Sequence, residues 1–278
     1  MNLTYKLTAF WLFLGIGTTG FAAGLIETSR GVTGYQGTPL LDWCGYIKHD
    51  PNRPQPVYVD PGSSQVFDRP PSDAILLFGG GQMLSFWEPG SWQVIEGALV
   101  AGQGDLTSRQ AFGDCQLHLE FMIPQELKTS FMNRGNSGVF LMGLYEIQIF
   151  DSHPCHKRQI YPDGQCAAIY GDTPPLVNVC RPAGQWQTYD ILFTRPVFAK
   201  DQVVKPASIT MLHNGVLVHY NAIIHGPTGH QEILTYQPHP DKLPLKLQGH
   251  GCPVHFRNIW IRPLDRIHCD SSNMEQKP

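Results

Sequence analysis

Glycine and proline interrupt this chain so often that long helices have no room to form: from Gly24 to Pro263 no stretch free of both exceeds eleven residues. A mean helix needs about 11–12 uninterrupted residues and a mean strand only about 5–6. The spacing therefore predicts a body built almost entirely of short strands. The 278 residues include 28 glycines and 23 prolines, and only 15% are charged, below the usual ~25%. With 42% hydrophobic residues and a net charge of −3, the chain is neither disordered nor a bulk binder of polyanions.

The ends differ from the middle. An apolar run over residues 7–16 follows Lys6 and precedes the small-x-small site Gly20-Phe21-Ala22, the pattern of a cleaved export signal. The run is about ten residues, short of the ~20 that span a bilayer, so residues 1–22 are expected to leave a mature protein with no membrane span, in the periplasm or outside the cell. Residues 23–72 carry Arg53-Pro54-Gln55-Pro56, Asp60-Pro61-Gly62 and Arg69-Pro70-Pro71, a composition that predicts an extended strap along the surface. Residues 73–264 form the expected domain, and 265–278 a polar tail. Seven cysteines in an exported chain permit disulfides. Cys155 and Cys166 flank the turn-rich Pro162-Asp163-Gly164 and are the candidate pair, with unpaired core thiols as the alternative.

From residue 72 onward, apolar runs alternate with turn residues. Strands are expected at 74–78, 92–100, 115–123, 137–141, 145–150, 186–194, 207–212, 216–220, 245–248 and 254–261. Asn214-Gly215 is a hairpin turn signal. In Cys115-Gln116-Leu117-His118-Leu119-Glu120-Phe121-Met122-Ile123 the odd positions are apolar and Gln116, His118 and Glu120 fall on the other face. About ten such strands predict an all-β sandwich of two antiparallel sheets.

Several strings carry chemistry. Tyr145-Glu146-Ile147-Gln148-Ile149-Phe150-Asp151 puts Glu146 and Gln148 on one strand face, and a bulge near Phe150 would add Asp151. The spacing resembles the catalytic strand of retaining glucanases with Gln148 in place of an acid; a retaining pair requires carboxyls ~5–5.5 Å apart. Arg134-Gly135-Asn136-Ser137-Gly138 offers a tight bend that presents Arg134 and Asn136. In Gly249-His250-Gly251 two glycines flank an imidazole suited to act as a base or metal ligand, followed by Arg257 and Asn258. Trp87, Trp92, Trp186 and Trp260 either stack on sugar rings or fill the core. No Gly-x-Ser-x-Gly elbow is present, which discounts serine hydrolysis, and Gly79-Gly80-Gly81 lacks the context of a nucleotide loop.

Taken together, Arg134-Gly135-Asn136-Ser137-Gly138-Val139, the 145–152 string, Ala168-Ile169-Tyr170-Gly171 and the string from His250 to Arg262 resemble the secreted bacterial 3-keto-disaccharide hydrolase domain family over residues 73–264. The chain departs from that pattern at Gly249, where many relatives carry Asp. The resemblance implies a concanavalin-like jelly roll acting on oxidised glycosides. A ketone at C3 acidifies the C2 proton, a base removes it, the C1 oxygen leaves, and water adds to the enone. On that resemblance Glu146 or His250 is the expected base. Arg134, or a divalent metal held by carboxylates and histidine, stabilises the enolate, and Asp151 or Glu120 protonates the leaving group or orients the ligand. Asn136, Gln148, Arg257 and Asn258 are expected on the sugar hydroxyls. A retaining glycosidase and a non-catalytic carbohydrate-binding module are the alternatives, and the charge balance gives no case for nucleic acid.

Overall fold

A computed structural model of the protein describes residues 23–63, 69–80, 84–125 and 130–264. The expected signal at 1–22 and the tail at 265–278 lie outside the described residues. Within them, helix is limited to two 3-10 turns, Phe131–Asn133 and Pro162–Gly164, and no helix is long and apolar enough to cross a membrane.

Twelve strands build the sandwich: β1 (Ile75–Phe78), β2 (Gln93–Ile95), β3 (Ala98–Val100), β4 (Leu106–Phe112), β5 (Cys115–Met122), β6 (Ser137–Leu141), β7 (Tyr145–Ile149), β8 (Trp186–Thr194), β9 (Ser208–His213), β10 (Val216–Ile223), β11 (Leu243–Leu247) and β12 (His255–Pro263). The larger, eight-stranded sheet runs β10-β9-β8-β5-β12-β3-β2, with β1 also paired to β12; the smaller, four-stranded sheet runs β7-β6-β11-β4. Side chains alternate across a strand, so each sheet has one apolar face. Leu117, Leu119 and Phe121 of β5 and Tyr145, Ile147 and Ile149 of β7 are all fully enclosed in one shared core. The two apolar faces therefore pack on each other, as the alternation predicts for a jelly-roll sandwich.

Two local features differ from the sequence reading. The run 92–100 is a hairpin, because Glu96 (φ 50°) and Gly97 (φ 78°) both adopt the left-handed conformation that a two-residue type I′ turn demands. Asn214 (φ 52°) and Gly215 (φ 80°) make the same turn with residues that announce it. Strand β4 carries no strand signal in the sequence, because its register against β11 shifts between Pro244 and Lys246, which erases the two-residue repeat.

Within the N-terminal strap, residues 24–58 carry paired strands and buried side chains. Gly24–Glu27 and Val32–Gln36 pair antiparallel, and Val32-Thr33 adds a parallel contact to Gln159-Ile160. Lys48, His49 and Arg53 are buried at 5%, 0% and 8% exposure, which polar side chains tolerate only with partners. The His49 backbone N–H donates to Asp163 Oδ2 at 3.0 Å, its ring Nδ1 lies 3.2 Å from the same oxygen, and Arg53 Nη1 donates to the Asp172 carbonyl at 2.9 Å. Composition reported the turns of this segment; the Asp163 carboxylate and the Asp172 carbonyl that hold it lie over a hundred residues away.

The expected Cys155–Cys166 disulfide is absent. Both are free thiols: Cys155 sits in an exposed turn, its N–H donating to His153 Nδ1 at 3.2 Å, whereas Cys166 points into the core at the Tyr189 hydroxyl, 3.1 Å away.

Burial pushes the Asp163 carboxyl up, but His49 and Arg53 outweigh it and hold the pKa below the usual range. Its stabilising effect is therefore present above the unfolded carboxylate value and lost as pH falls through the lower folded one. His49→Ala leaves a buried carboxylate without its ring partner and is expected to lower stability by about 3–5 kcal/mol, read by urea unfolding at neutral pH, with the gap to wild type closing in acid.

Candidate active site

The outer face of the smaller sheet collects the polar residues that alternation sends away from the core. β7 turns Glu146 and Gln148 to this side, and register sets Glu146 beside Phe140 and Gln148 beside Gly138 on β6. Phe140 is in turn paired with Lys246 of β11, whose ammonium lies 4.1 Å over the Phe140 ring and 3.0 Å from Asp105 Oδ2. A Cβ at Gly138 would collide with the Glu146 carboxyl. Glycine is thus what lets this side chain lean across β6.

Although it faces away from the core, Glu146 is only 4% exposed. Residues 167–170 cover the edge of β7, with Gln148 N–H donating to the Ala168 carbonyl at 2.9 Å and Tyr170 N–H to the Glu146 carbonyl at 3.0 Å. The Glu146 N–H donates to Thr228 Oγ1 at 2.9 Å. Loss of solvation raises the Glu146 pKa to about 8, against the opposing pull of Lys246 and Lys48. At neutral pH the unliganded side chain is mainly the neutral acid, a proton donor.

Beside it opens a cleft of about 240 Å³, below the roughly 300–1,000 Å³ of drug-sized pockets and suited to a small ligand. Four residues singled out in the sequence line it: Asn136, Glu146, Gln148 and His250. His250 Nδ1 lies 2.9 Å from Asn133 Oδ1, and Asn133 Nδ2 donates to the His250 carbonyl at 3.3 Å. That orientation of the Asn133 amide makes Nδ1 the protonated nitrogen and leaves Nε2 with its lone pair. Asn136 Nδ2 stands 3.4 Å from Nδ1, a marginal contact. Gln148 Oε1 is buried without a hydrogen-bond partner, an acceptor unsatisfied until a ligand donates to it.

Tyr170, Thr228 and His230 also line the cleft and were not assigned from sequence. Tyr170 sat in a quoted motif with no chemical role attached, and His230 lies in a polar loop whose pattern carries no signal.

The other expected site residues lie elsewhere. The Arg134 guanidinium donates from Nε and Nη2 to the Asp151 carbonyl at 2.9 and 2.6 Å, and the Asp151 carboxylate meets His156 Nε2 at 2.7 Å; neither lines the cleft. Glu120 is on β5 of the larger sheet, bound by Arg257 Nε at 2.6 Å and Asn258 Nδ2 at 3.0 Å, while Arg257 stacks 3.9 Å over Trp186. This trio buttresses the opposite sheet. Trp87, Trp92 and Trp260 are buried at 1–5% exposure and belong to the packing. Among the described residues no group of three or more His, Cys, Asp or Glu side chains is placed to hold a metal ion.

Two other hollows compare poorly with this cleft. The slot between Trp43, Lys48 and His225 has only about 20 Å³, room for little more than a water. A hollow of about 320 Å³ on the larger sheet includes Asp190 and Trp260, but Asp190 is engaged by His118 Nδ1 at 2.7 Å. The departure at Gly249 also has a structural reason, because a Cβ there would meet the carbonyls of Gly102 and Gly104.

Glu146 has a stability cost with a defined sign. A carboxyl whose folded pKa lies above its unfolded value binds more protons when folded, so stability declines as pH rises from about 4.5 to about 8. Glu146→Gln is expected to remove this slope and to exceed wild type in unfolding free energy at pH 8–9 by roughly 1–3 kcal/mol, read by urea titration. Gly138→Ala, which displaces the carboxyl, is expected to lower any activity that uses Glu146 by about tenfold or more.

The 3-keto-alpha-glucoside-1,2-lyase-like domain model matches residues 73–262. The protein is also similar to the crystal structure of a provisionally assigned glycosyl hydrolase from Parabacteroides distasonis, with 37% identity and a TM-score of 0.65 over 69% of this chain and 84% of that one. A second provisionally assigned glycosyl hydrolase from the same organism has 18% identity, a TM-score of 0.51 and coverage of 69% and 94%, a likeness of fold. No curated protein matches the chain. The match extends over both sheets and every residue of the cleft, and it makes the chain a carbohydrate-active member of the 3-keto-alpha-glucoside-1,2-lyase-like domain family.

Proposed function

We propose that the protein is an exported enzyme that cleaves 3-keto-glycosides by elimination followed by hydration. The observation that carries this reading is the pairing, in one cleft, of a single buried carboxyl whose pKa is raised to about 8 with an imidazole whose free Nε2 is a proton acceptor. Glycosidases that work on unoxidised sugars use two carboxyls flanking the bond, ~5–5.5 Å apart when retaining and ~6.5–9.5 Å apart when inverting. Glu146 is the one acid among the cleft residues. One acid and one base instead suit a β-elimination.

In this reading His250 Nε2 takes the C2 proton, and the electron pair of that C–H bond moves into the C2–C3 bond with negative charge on the C3 oxygen. The enolate then reforms the ketone as the C1–O bond breaks, and Glu146 gives its proton to the departing oxygen. The products are an alcohol and a 1,2-unsaturated 3-ketone. Water adds its OH to C1 and its proton to C2 of that enone, with Glu146, now a carboxylate, as base. Gln148 and Asn136 are placed to hold hydroxyls. Glu146 is assigned the acid role because burial keeps it protonated, and Asp151 and Glu120 have no access to the cleft.

The test is aryl-alcohol release from a matched pair, a 3-keto-glucoside and the same glucoside unoxidised. Turnover of the keto compound alone is expected, with kcat/KM falling as pH rises through about 8, where the free enzyme loses the Glu146 proton. Glu146→Gln and His250→Ala are each expected to lower kcat by about 10²–10⁴. Cleavage of the plain glucoside, or full activity in both variants, contradicts the proposal.

A further inference from the structure

Elimination places negative charge on the C3 oxygen, and the groups so far assigned leave that charge without a donor. Arg134, the expected stabiliser, is directed to the Asp151 carbonyl. The remaining nitrogen donors of the cleft belong to the amides and to a second histidine, His230.

His230 is fixed from behind by a hydrogen-bond relay whose far end is buried. Its Nδ1 lies 2.8 Å from the Tyr170 hydroxyl, and Tyr170 lies 3.0 Å from the Tyr161 hydroxyl. The Nε2 of His49, itself anchored by Asp163, contacts the His230 backbone carbonyl. The direction of the relay follows from its closed end. Tyr161 is 4% exposed and its hydroxyl contacts Tyr170, so accepting from Tyr170 would strand its own proton in the interior, at a cost of about 1–3 kcal/mol. Tyr161 therefore donates to Tyr170, Tyr170 donates to His230 Nδ1, and the imidazole proton resides on Nε2. The exposed Gln231 Nε2 stands 3.3 Å from His230 Nε2; an Nε2–H tautomer requires this amide turned over so that its oxygen meets the ring, an exchange that heavy-atom positions do not distinguish.

We propose that His230 is the hydrogen-bond donor that stabilises the enolate oxygen at C3, as a neutral imidazole presenting Nε2–H to the cleft. The proposal rests on the elimination reading and completes it. Two histidines of one cleft are set in opposite tautomers: Asn133 leaves His250 with a lone pair at Nε2, and Tyr170 leaves His230 with a proton there. Burial, together with His49, Lys48 and His250, lowers the pKa of His230, in accord with a neutral ring. A neutral donor aimed at the oxygen where charge develops strengthens its bond as the enolate forms. Tyr170 is a positioning residue, acting through the ring.

The experiment isolates enolisation from bond cleavage. 3-Keto-1,5-anhydroglucitol has no leaving group at C1, so deuterium uptake at C2 in D₂O, followed by NMR, reports proton removal and enolate stabilisation alone. Wild type is expected to exchange C2; His230→Ala to slow exchange by about 10²–10³; and His230→Gln, which keeps an N–H donor, to recover about tenfold of that loss. ¹⁵N spectra of the wild type are expected to show His230 protonated at Nε2, and Tyr170→Phe to mix the tautomers and slow exchange. Should His230→Ala misfold, His230→Gln and Tyr170→Phe carry the test. Folded variants exchanging at the wild-type rate, or an Nδ1–H tautomer in the wild type, overturn the His230 assignment and leave elimination standing. A wild type that neither exchanges C2 nor cleaves the keto-glucoside overturns the elimination reading itself.

Discussion

The two-residue repeat of β7 joins the stability of this protein to its chemistry. Tyr145, Ile147 and Ile149 are fully enclosed in the sandwich core, and the same backbone turns Glu146 and Gln148 to the opposite face. A slip of one residue would put two polar side chains into the core and three apolar ones into the cleft, so core packing fixes the register that aims Glu146. The adjoining strand completes the device with Gly138, whose missing side chain is the space the carboxyl occupies. A site on a strand whose other face is locked in the core is held more rigidly than one carried on loops.

Strand geometry alone would leave Glu146 in water. What raises its pKa is the cover assembled over the smaller sheet from distant parts of the chain: residues 167–170 along the edge of β7, Thr228 behind its backbone, and the N-terminal segment with Lys48 and His49 beneath Tyr170 and His230. That segment precedes the family match at 73–262, yet its buried ions bear on the cleft. Lys48 is enclosed and its pKa lowered by burial, with its Nζ held by the Glu232 carbonyl at 3.0 Å. Desolvating these groups is costly unless each finds a partner, and the network Lys48–Glu232, His49–Asp163 and Arg53–Asp172 supplies them.

Much of this was legible in the sequence, for reasons that explain what was not. Glycine and proline density excluded helices, and period-two alternation located most strands of the sandwich because each has one buried face. Glu146, Gln148, Asn136 and His250 were found because they lie on one strand or beside a glycine bend, where local pattern decides position. Glu120 was placed on the correct strand and a polar face, but the sandwich has two outer faces, and alternation does not say which of them bears the cleft. Asp151 and Arg134 fell outside because a short distance along the chain past the end of β7 is no measure of direction in space. Tyr170, His230 and Lys48 came from segments with no periodicity. The Cys155–Cys166 pairing failed similarly, since proximity in sequence did not prevent one thiol from facing solvent and the other the core.

The central claim is that one carboxyl and two oppositely tautomeric histidines surround a 3-keto sugar in the cleft on the smaller sheet. A crystal structure of Glu146→Gln with an intact 3-keto-disaccharide tests it most directly. The account predicts the glycosidic oxygen within hydrogen-bond distance of the residue 146 side chain, the C2 hydrogen facing His250 Nε2, and the C3 carbonyl oxygen about 3 Å from His230 Nε2. A sugar seated in the hollow beside Asp190 and Trp260, or lying in the cleft with its C3 oxygen turned from His230 and its C1 oxygen from residue 146, would contradict it.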